Sequence, residues 1–227
     1  MMDYKFFEKN KLVGGVEDKN RTGKYIIIEG IDGAGKTTQV ELLSARLKKV
    51  NGISVITTVE PTDNHIGKLI RRILSGELEI DPKVMGMLFI PDTYSNIYGK
   101  DGVIDNVVNG KTVISDRSYF STFAYQSRYL PIDWIKGAHS LSMLFKPDIV
   151  FYLGASVDTC MNRLHDRGSK FQVHEKRGIL TLVKENYMKA FDMFPNYNIF
   201  HVNGEESIPS VSNYIFKAVQ RLLYYKQ

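Results

Sequence analysis

The stretch GIDGAGKT, residues Gly30–Thr37, directly follows the apolar run KYIIIE at Lys24–Glu29 and precedes a segment with helical periodicity. It fits the pattern G-x-x-x-x-G-K-[ST] in the strand–turn–helix setting that this pattern requires. Glycines let consecutive backbone N–H groups turn inward around a phosphate, and the helix N-terminus adds a partial positive charge. Lys36 would reach the β- and γ-phosphates, and the Thr37 hydroxyl would ligate Mg²⁺. A glycine-rich turn beside an exposed lysine is the weaker interpretation, because the flanking strand and helix are both present.

Around this motif, short β-branched runs alternate with longer helical patterns. We predict further strands at Ile53–Thr58, Lys111–Ser115, Asp148–Leu153 and Tyr197–Val202, and helices at Thr37–Val50, Gly67–Leu74, Pro82–Asn109 and from Pro209 onward. The helical region Pro82–Asn109 is expected to break around Pro91 and again near Gly99–Gly102. Strands separated by helices imply right-handed βαβ crossovers, so we predict an α/β fold with a mainly parallel sheet covered on both faces. In such sheets ligands bind beyond the carboxyl ends of the strands.

The composition fits one folded domain of 227 residues, because a hydrophobic content of 43% is enough for a sizeable core. The net charge of +5 suits an anionic partner, either nucleic acid or a phosphate-bearing small molecule. Cys160 is the single cysteine, which favours a reducing compartment and hence the cytoplasm. The apolar runs are too short to span a bilayer. We expect residues 1–23 to form a flexible polar extension ahead of a domain at residues 24–227.

Asp116 and Arg117 follow the predicted strand Lys111–Ser115 at its carboxyl end. An aspartate in this place can hold the Mg²⁺ shell as a Walker-B carboxylate does, and the arginine can bridge phosphates. The structural alternative is that Asp116 or Ser118 caps a helix at Tyr119–Gln126. We favour the functional interpretation because the phosphate-binding motif is also present.

The residues after the second predicted strand suggest another phosphate site. Glu60–Thr62 end this strand, and Arg71 and Arg72 follow on a helix. One arginine could point back at the strand ends and clamp a phosphate through its fork-shaped donors. Its neighbour must face elsewhere, because adjacent helical residues lie about 100° apart. Two solvated arginines are the alternative. Phe89 and Tyr125 are candidates for stacking on a base, although aromatic residues at helical spacing are more often part of the core.

Residues 163–177 form a basic segment with five basic residues against two acidic ones, namely Arg163, Arg167, Lys170, Lys176 and Arg177 against Asp166 and Glu175. Gly168 and Ser169 would separate two helices, at Asp158–Arg167 and Val173–Ala190. Such a turn suits a lid that closes over a triphosphate and brings an arginine to the transferring phosphoryl group. A charge-rich surface hairpin is the alternative. The five histidines are scattered without metal-ligand spacing, and we interpret them as structural.

Taken together, these motifs resemble the thymidylate kinase family. The stretches that carry the resemblance keep the family's order and approximate spacing, and they are IEGIDGAGKTTQ (Ile28–Gln39), EPT…GKLIRRIL (Glu60–Leu74), DRSYFSTFAYQ (Asp116–Gln126) and KPDIVFYL (Lys146–Leu153). The resemblance covers about residues 24–225. It implies a P-loop NTPase fold with a five-stranded parallel sheet and helices on both faces. It also implies transfer of the γ-phosphoryl group of ATP to dTMP to give dTDP, a requirement for Mg²⁺, and a homodimer.

The resemblance assigns roles to individual residues. ATP would contact Gly30, Ile31, Asp32, Gly33, Ala34, Gly35, Lys36, Thr37 and Thr38, and Mg²⁺ would lie at Thr37 and Asp116. The acceptor dTMP would contact Glu60, Pro61, Arg71, Phe89, Asp116, Arg117, Ser121, Tyr125 and Gln126. Arg71 and Arg117 would hold its phosphate, Phe89 would stack on thymine and Tyr125 would lie against the deoxyribose. Catalysis would depend on Lys36, Asp32, Arg117 and Arg167, with Arg163 as the alternative to Arg167. A lid arginine is implied because Gly33 stands where one subgroup of the family carries a basic residue.

Three positions depart from the family pattern. Thr93 stands where the family usually has a base-recognising arginine, Ser118 where it commonly has Tyr or His, and Val59 where bacterial members often have arginine. An acidic-Arg-Ser sequence is instead similar to deoxynucleoside kinases. A deoxynucleoside kinase and a broader deoxynucleoside monophosphate kinase are therefore the alternative functions. A nucleic-acid-stimulated ATPase or P-loop switch has less support, because we find no interleaved stripe of aromatic and basic residues.

Overall fold

The computed structural model describes residues 21–167 and 176–224, which are organised around one five-stranded sheet. Its strands are β1 (Lys24–Glu29), β2 (Val55–Val59), β3 (Thr112–Asp116), β4 (Ile149–Gly154) and β5 (Ile199–Asn203). They lie in the order β2-β3-β1-β4-β5, and every neighbouring pair is parallel. The predicted α/β fold with a five-stranded parallel sheet is confirmed.

Nine α-helices and one 3-10 turn connect these strands in the described part of the chain. The helices are α1 (Lys36–Leu47), α2 (His65–Leu74), α3 (Pro82–Tyr98), α4 (Val103–Val108), α5 (Tyr119–Gln126), α6 (Ile132–Ala138), α7 (Val157–Asp166), α8 (Arg177–Asp192) and α9 (Ile208–Tyr224), with the 3-10 turn at Ser142–Leu144. Several begin at side-chain caps, as their sequences dictate. The Asn64 side chain accepts a hydrogen bond from the Gly67 N–H at the start of α2, and Ser156 does the same for Thr159 in α7.

The central position of β1 decides where ligands can bind. Every residue from Tyr25 to Glu29 is buried, which explains why this strand is a continuous apolar run rather than an alternating one. In the sheet register Asp116 of β3 lies opposite Ile28 of β1 and Val59 of β2. The carboxyl ends of the three strands therefore meet at one edge, and the glycine-rich motif leaves the sheet at its middle.

Aromatic residues of α5 and α8 form much of the core beside this edge. The Phe120 ring lies 5.3 Å from the Phe191 ring, and the Tyr152 ring of β4 also lies 5.3 Å from Phe191. Full burial of such a side chain contributes about 1.5–3 kcal/mol. The packing fixes α8, the helix that follows the basic segment, against α5, the helix that follows Asp116.

The predicted break at Pro91 is wrong, because α3 continues through this proline to Tyr98. Proline removes one backbone hydrogen bond and crowds the preceding turn. The residues that follow it are anchored by tertiary hydrogen bonds: the Asp92 carboxylate accepts from Thr62, and Thr93 donates to Glu60. These anchors offset the local cost. The second predicted break is correct, since Gly99–Gly102 separate α3 from α4.

The two ends of the basic segment are described, but its middle is not. Helices α7 and α8 match the two predicted helices to within a few residues, except that the predicted start at Val173 and the turn with Gly168, Ser169 and Lys170 lie outside the described residues. Of the predicted polar extension, residues 1–20 also lie outside them. Arg21 is attached to the fold, because its guanidinium donates to the Lys146 carbonyl and forms an ion pair with Asp148 at 2.6 Å.

Candidate active site

A cleft of about 920 Å³ opens at the carboxyl edge of the sheet. Its walls come from the glycine-rich loop, the ends of β2 and β3, and helices α2, α3, α5 and α7. Most of the predicted site residues line it, namely Asp32, Gly33, Ala34, Gly35, Lys36, Thr37, Thr38, Glu60, Pro61, Arg71, Phe89, Asp116, Arg117, Ser121, Tyr125, Gln126, Arg163 and Arg167. Gly30 and Ile31 belong to the base of the loop, where the Ile31 side chain is fully buried.

The loop owes its shape to glycines with left-handed backbone angles. Gly33 has a φ of 83° and Gly35 a φ of 95°. A Cβ atom at Gly33 would overlap the carbonyl oxygen of Cys160 on α7. The contact explains the absence of a basic side chain at this position, since any side chain would push α7 away from the loop.

Lys36 begins α1 and is folded into the loop. Its Nζ donates a hydrogen bond to the Ile31 carbonyl at 2.9 Å, and the residue is only 7% exposed. Burial lowers the pKa of Lys36, and the nearby Arg117 guanidinium lowers it further, whereas Asp32 and Asp116 oppose the shift. The amine is therefore held within the loop, from which the lysine of this motif reaches the β- and γ-phosphates.

Thr37 and Asp116 form the predicted oxygen pair across the cleft. The Thr37 hydroxyl donates a hydrogen bond to the Asp116 carboxylate at 2.6 Å. The N-cap of α5 is instead Ser118, whose Oγ accepts from the Phe120 N–H at 3.3 Å. Asp116 is thus available for the cleft rather than used as a cap. A hydroxyl and a carboxylate are hard oxygen donors of the kind that Mg²⁺ prefers, so this pair fits the ion.

Arg117 lies between the glycine-rich loop and α5. Its backbone has a φ of 75°, which is uncommon for a residue with a side chain. The guanidinium forms an ion pair with Asp32, donates to Ser121 Oγ at 3.1 Å and lies 5.2 Å from the centre of the Tyr125 ring. In turn, the Tyr125 hydroxyl accepts a hydrogen bond from the Asp32 N–H at 3.1 Å. Four predicted site residues are therefore in one connected group.

Glu29 is a residue of this region that sequence reasoning did not single out. It is the last residue of β1 and is completely buried. Its carboxylate accepts hydrogen bonds from Ser118 and Ser121, each at 2.8 Å, and from Tyr187 at 2.9 Å. Burial raises the pKa of Glu29, and the charge of Arg117 opposes the shift. The available signal was an acidic residue at the end of an otherwise apolar buried strand.

A second buried carboxylate, Glu60, connects the end of β2 to α3. It accepts from Thr93 Oγ1 at 2.8 Å and from Asn96 Nδ2 at 2.9 Å. Burial raises the pKa of Glu60 to about 7. Nearby, the Asp92 carboxylate accepts from the Thr62 N–H at 2.8 Å and from its hydroxyl at 2.5 Å. Thr93, which stands in the place of the family arginine, is thus a buried support of Glu60.

The two adjacent arginines of α2 face different ways. Arg71 lines the cleft, where its guanidinium donates to the Pro61 carbonyl and lies 3.4 Å from the Asp63 carboxylate. Arg72 forms an ion pair with Glu77 at 2.7 Å, with both side chains more than half exposed. The structure therefore brings Arg71, and not Arg72, to the loop that ends β2.

Three further predicted residues face the cleft near α3 and α5. Phe89 is half-buried, whereas Tyr125 and Gln126 are buried, with exposed fractions of 6% and 1%. The Gln126 Oε1 has no hydrogen-bond partner among the described residues. Their side chains form one wall with an aromatic face and an amide, which suits the planar ring of a base and its polar edge.

The opposite side of the cleft is basic. Arg163 donates to the Gly204 carbonyl at 3.0 Å and to the Ala34 carbonyl at 3.5 Å, so it ties α7 to the glycine-rich loop. Arg167 follows α7 and also lines the cleft. Arg177 pairs with Asp158 at the start of α7, where both side chains are more than 60% exposed. Arg163 and Arg167 are thus the two lid candidates that the structure brings to the cleft.

Within residues 21–167 and 176–224, no cluster of three or more His, Cys, Asp or Glu side chains is arranged to hold a metal ion. The Thr37–Asp116 pair would thus need donor phosphate oxygens and water to complete an Mg²⁺ shell. None of the helices in this described part is both long and apolar enough to cross a membrane.

Comparison with known proteins identifies the family. The family model described as thymidylate kinase matches residues 28–215. A protein of Thermococcus kodakarensis described as "Probable thymidylate kinase" is 37% identical over 209 residues, which cover 88% of this chain and 98% of that protein. A protein of Methanobrevibacter smithii with the same description is 38% identical over 198 residues, or 86% and 93% of the two chains. The chain belongs to the thymidylate kinase family.

Proposed function

We propose that this chain is a nucleoside monophosphate kinase that transfers the γ-phosphoryl group of ATP to dTMP and so forms dTDP. One observation supports this proposal above the others. A single cleft is lined both by a phosphate-binding loop that holds Lys36 and by two arginines outside that loop, Arg71 of α2 and Arg117 after the end of β3. The first feature suits a triphosphate donor, and the second suits an acceptor that already carries a phosphate.

In the proposed mechanism the donor phosphates lie in the glycine-rich loop. The loop N–H groups and Lys36 offset the negative charge of the β- and γ-phosphates. Thr37 and Asp116 would hold Mg²⁺, which when bound supplies further positive charge to the donor oxygens. Arg167 on the basic side would contact the transferring group, with Arg163 as the alternative.

The acceptor would be oriented by the opposite wall. Arg71 and Arg117 hold its phosphate for in-line attack, while Phe89 stacks on the base and Tyr125 lies against the sugar. Positioning and electrostatics carry this reaction, so no covalent enzyme intermediate is required. Asp32 pairs with Arg117 and so fixes the guanidinium at the junction of the two subsites.

The direct test is a panel of nucleosides and nucleoside monophosphates with ATP and Mg²⁺, read as diphosphate or monophosphate formed. We expect dTDP from dTMP and little product from thymidine, because Arg71 and Arg117 would lack their phosphate partner. Product from thymidine alone would favour a deoxynucleoside kinase, which the family assignment does not support. ATP hydrolysis that rises with added DNA or RNA, without transfer to nucleotides, would favour an ATPase.

The same panel tests the strictness of base selection. Thr93 is fully buried and donates to Glu60, so it contributes no cation to the wall beside Phe89. Other deoxynucleoside monophosphates should therefore be compared with dTMP in the same assay. Efficient turnover of several of them would identify a broader deoxynucleoside monophosphate kinase.

A homodimer is part of the proposal, and α3 offers a surface for it. Val84, Met87, Pro91, Tyr94 and Tyr98 follow the 3-4 spacing of a heptad stripe, and Val84 and Met87 are each 43% exposed. An apolar stripe of this spacing suits packing against a second helix. We expect Met87→Glu to convert a dimer to a monomer in sedimentation equilibrium, whereas Lys83→Glu beside the stripe should not. A monomeric parent protein would contradict the dimer.

We also place this kinase in the cytoplasm. Cys160 is a buried free thiol, and burial raises its pKa to about 11, so it is poorly suited to disulfide chemistry. Fractionation of cells that express the tagged chain would test this placement, and recovery in a membrane or secreted fraction would contradict it.

A further inference from the structure

Glu29 is buried beneath the cleft and is connected to it through hydroxyl groups. Its Oε2 accepts from Ser121 Oγ at 2.8 Å and from the Tyr187 hydroxyl at 2.9 Å, and its Oε1 accepts from Ser118 Oγ at 2.8 Å. Of the three hydroxyls, the Arg117 guanidinium donates to Ser121 Oγ, at 3.1 Å, and the same oxygen lies 2.8 Å from the Tyr187 hydroxyl. A continuous path therefore runs from the end of β1 to the arginine in the cleft.

The backbone of Arg117 needs such support. Its φ of 75° lies in the left-handed region, where a residue with a side chain is strained. Its N–H donates to the Ile28 carbonyl at 3.1 Å, and its carbonyl accepts from Ser115 Oγ at 2.5 Å. These bonds fix the backbone next to Glu29, but they leave the long side chain to be directed by Asp32 and Ser121.

We propose that Glu29 is a positioning residue for Arg117 and acts through the Ser121 hydroxyl. The inference rests on the proposed function in one respect, namely that Arg117 holds the acceptor phosphate. A carboxylate only accepts hydrogen bonds, so it orients the Ser121 proton inward and turns the lone pairs of that oxygen toward the guanidinium. The Asp32 pair at the loop and the Ser121 contact at α5 then hold the arginine from two sides.

A neutral amide in place of the Glu29 carboxylate would disturb this arrangement of hydrogen bonds. In Glu29→Gln the side-chain NH₂ would present donors to hydroxyls that now donate to it, and at least one hydroxyl would have to turn. We expect the KM for dTMP to rise about 10-fold or more, in the range that loss of a charge-assisted hydrogen bond produces. The KM for ATP should stay within about twofold, because the contacts of Lys36 and Thr37 are unchanged. Ser121→Ala should reproduce this pattern.

Asn186→Ala is the matched control. It removes the hydrogen bond from Asn186 Nδ2 to the Ala124 carbonyl at 3.1 Å, which joins α8 to α5, but leaves the hydrogen bonds of Glu29 and Ser121 in place. Its melting temperature should fall, as for Glu29→Gln, while its KM for dTMP stays within about twofold of the parent value. A purely structural role of Glu29 would instead give all three variants lower melting temperatures and no selective change in the acceptor KM.

The experiment measures steady-state constants for both substrates and thermal unfolding of the parent, Glu29→Gln, Ser121→Ala, their double variant and Asn186→Ala. The path predicts that the two single changes are not additive, either in the acceptor KM or in the melting temperature without nucleotide. If Glu29→Gln does not fold, the comparison of Ser121→Ala with Asn186→Ala still tests the inference. Unchanged acceptor constants in Ser121→Ala, or additive effects in the double variant, would overturn the inference. A parent enzyme that forms no dTDP would refute the proposed function instead, and the unfolding data would still test the path.

Discussion

At the scale of single residues, Lys36 shows how closely charge and burial are balanced in the phosphate-binding loop. The amine is 7% exposed and is surrounded by both Arg117 and three carboxylates. We expect Lys36→Ala to lower kcat by about 10²–10³ or more, because it removes a pre-positioned charge from the transition state. Lys49→Ala, at an exposed position just after α1, is the control and should keep parent activity in the same coupled assay. Near-normal turnover by Lys36→Ala would contradict the assignment of the donor site.

The adjacent pair Arg71 and Arg72 offers a second comparison at this scale. Only Arg71 lines the cleft, while Arg72 pairs with Glu77 in solvent. Replacing Arg71 with Ala should raise the KM for dTMP about 10–100-fold, the range expected when hydrogen bonds to a charged group are lost. The same change at Arg72 should leave this constant within about twofold, since exposed ion pairs contribute little. Equal effects of the two substitutions on initial rates would show that Arg71 does not hold the acceptor.

At the scale of elements, α2 is seated by a contact that no helix pattern reveals. Gly67, in its first turn, faces the loop that ends β2, and a Cβ there would overlap the Thr62 carbonyl oxygen. Gly67→Ala should therefore move α2, and Arg71 with it, away from this loop. We expect a lower melting temperature together with a higher KM for dTMP, measured by calorimetry and steady-state kinetics.

Gly137→Ala is the counterpart in α6, where a Cβ would have nothing within 4 Å. There the substitution only improves helix propensity, so it should raise the free energy of unfolding by about 0.5–1 kcal/mol. Denaturation by urea measures both changes. Stabilisation by Gly67→Ala, or loss of stability in Gly137→Ala, would contradict the proposed difference between the two helices.

These elements also show what a sequence can and cannot predict. The strands and the glycine-rich loop are local patterns, and their bounds were predicted to within a few residues. Helix α3 continues through Pro91 because Asp92 and Thr93 form tertiary hydrogen bonds. Helix propensity along the sequence does not predict these bonds. Glu29 reaches Tyr187, which is 158 residues away along the chain, so only the fold reveals that contact.

At the scale of the whole molecule, buried ionisable groups make stability depend on pH. His139 is fully buried near the Tyr119 and Phe123 rings, and neither ring nitrogen has a partner among the described residues. Burial lowers the pKa of His139 from 6.5 to about 4. Glu60 acts in the opposite sense, because burial raises its pKa from 4.5 to about 7. The contribution of Glu60 to stability is lost as the pH rises from 4.5 to about 7. Because this range overlaps with that of His139, a comparison of variants is needed to isolate the effect of His139.

The sign for His139 follows from which state binds the proton. Below its unfolded pKa of 6.5 the unfolded chain becomes protonated while the folded chain does not, so stability is lost as the pH falls toward 4. The slope approaches about 1.4 kcal/mol per pH unit. When the free energy of unfolding is measured by urea denaturation between pH 7.5 and 4, it should fall less steeply with falling pH for His139→Phe than for the parent protein. Phe123→Leu, which replaces a ring beside the imidazole without removing an ionisable group, should retain the parent slope. Parallel curves for the parent and His139→Phe would show that this imidazole does not couple folding to pH.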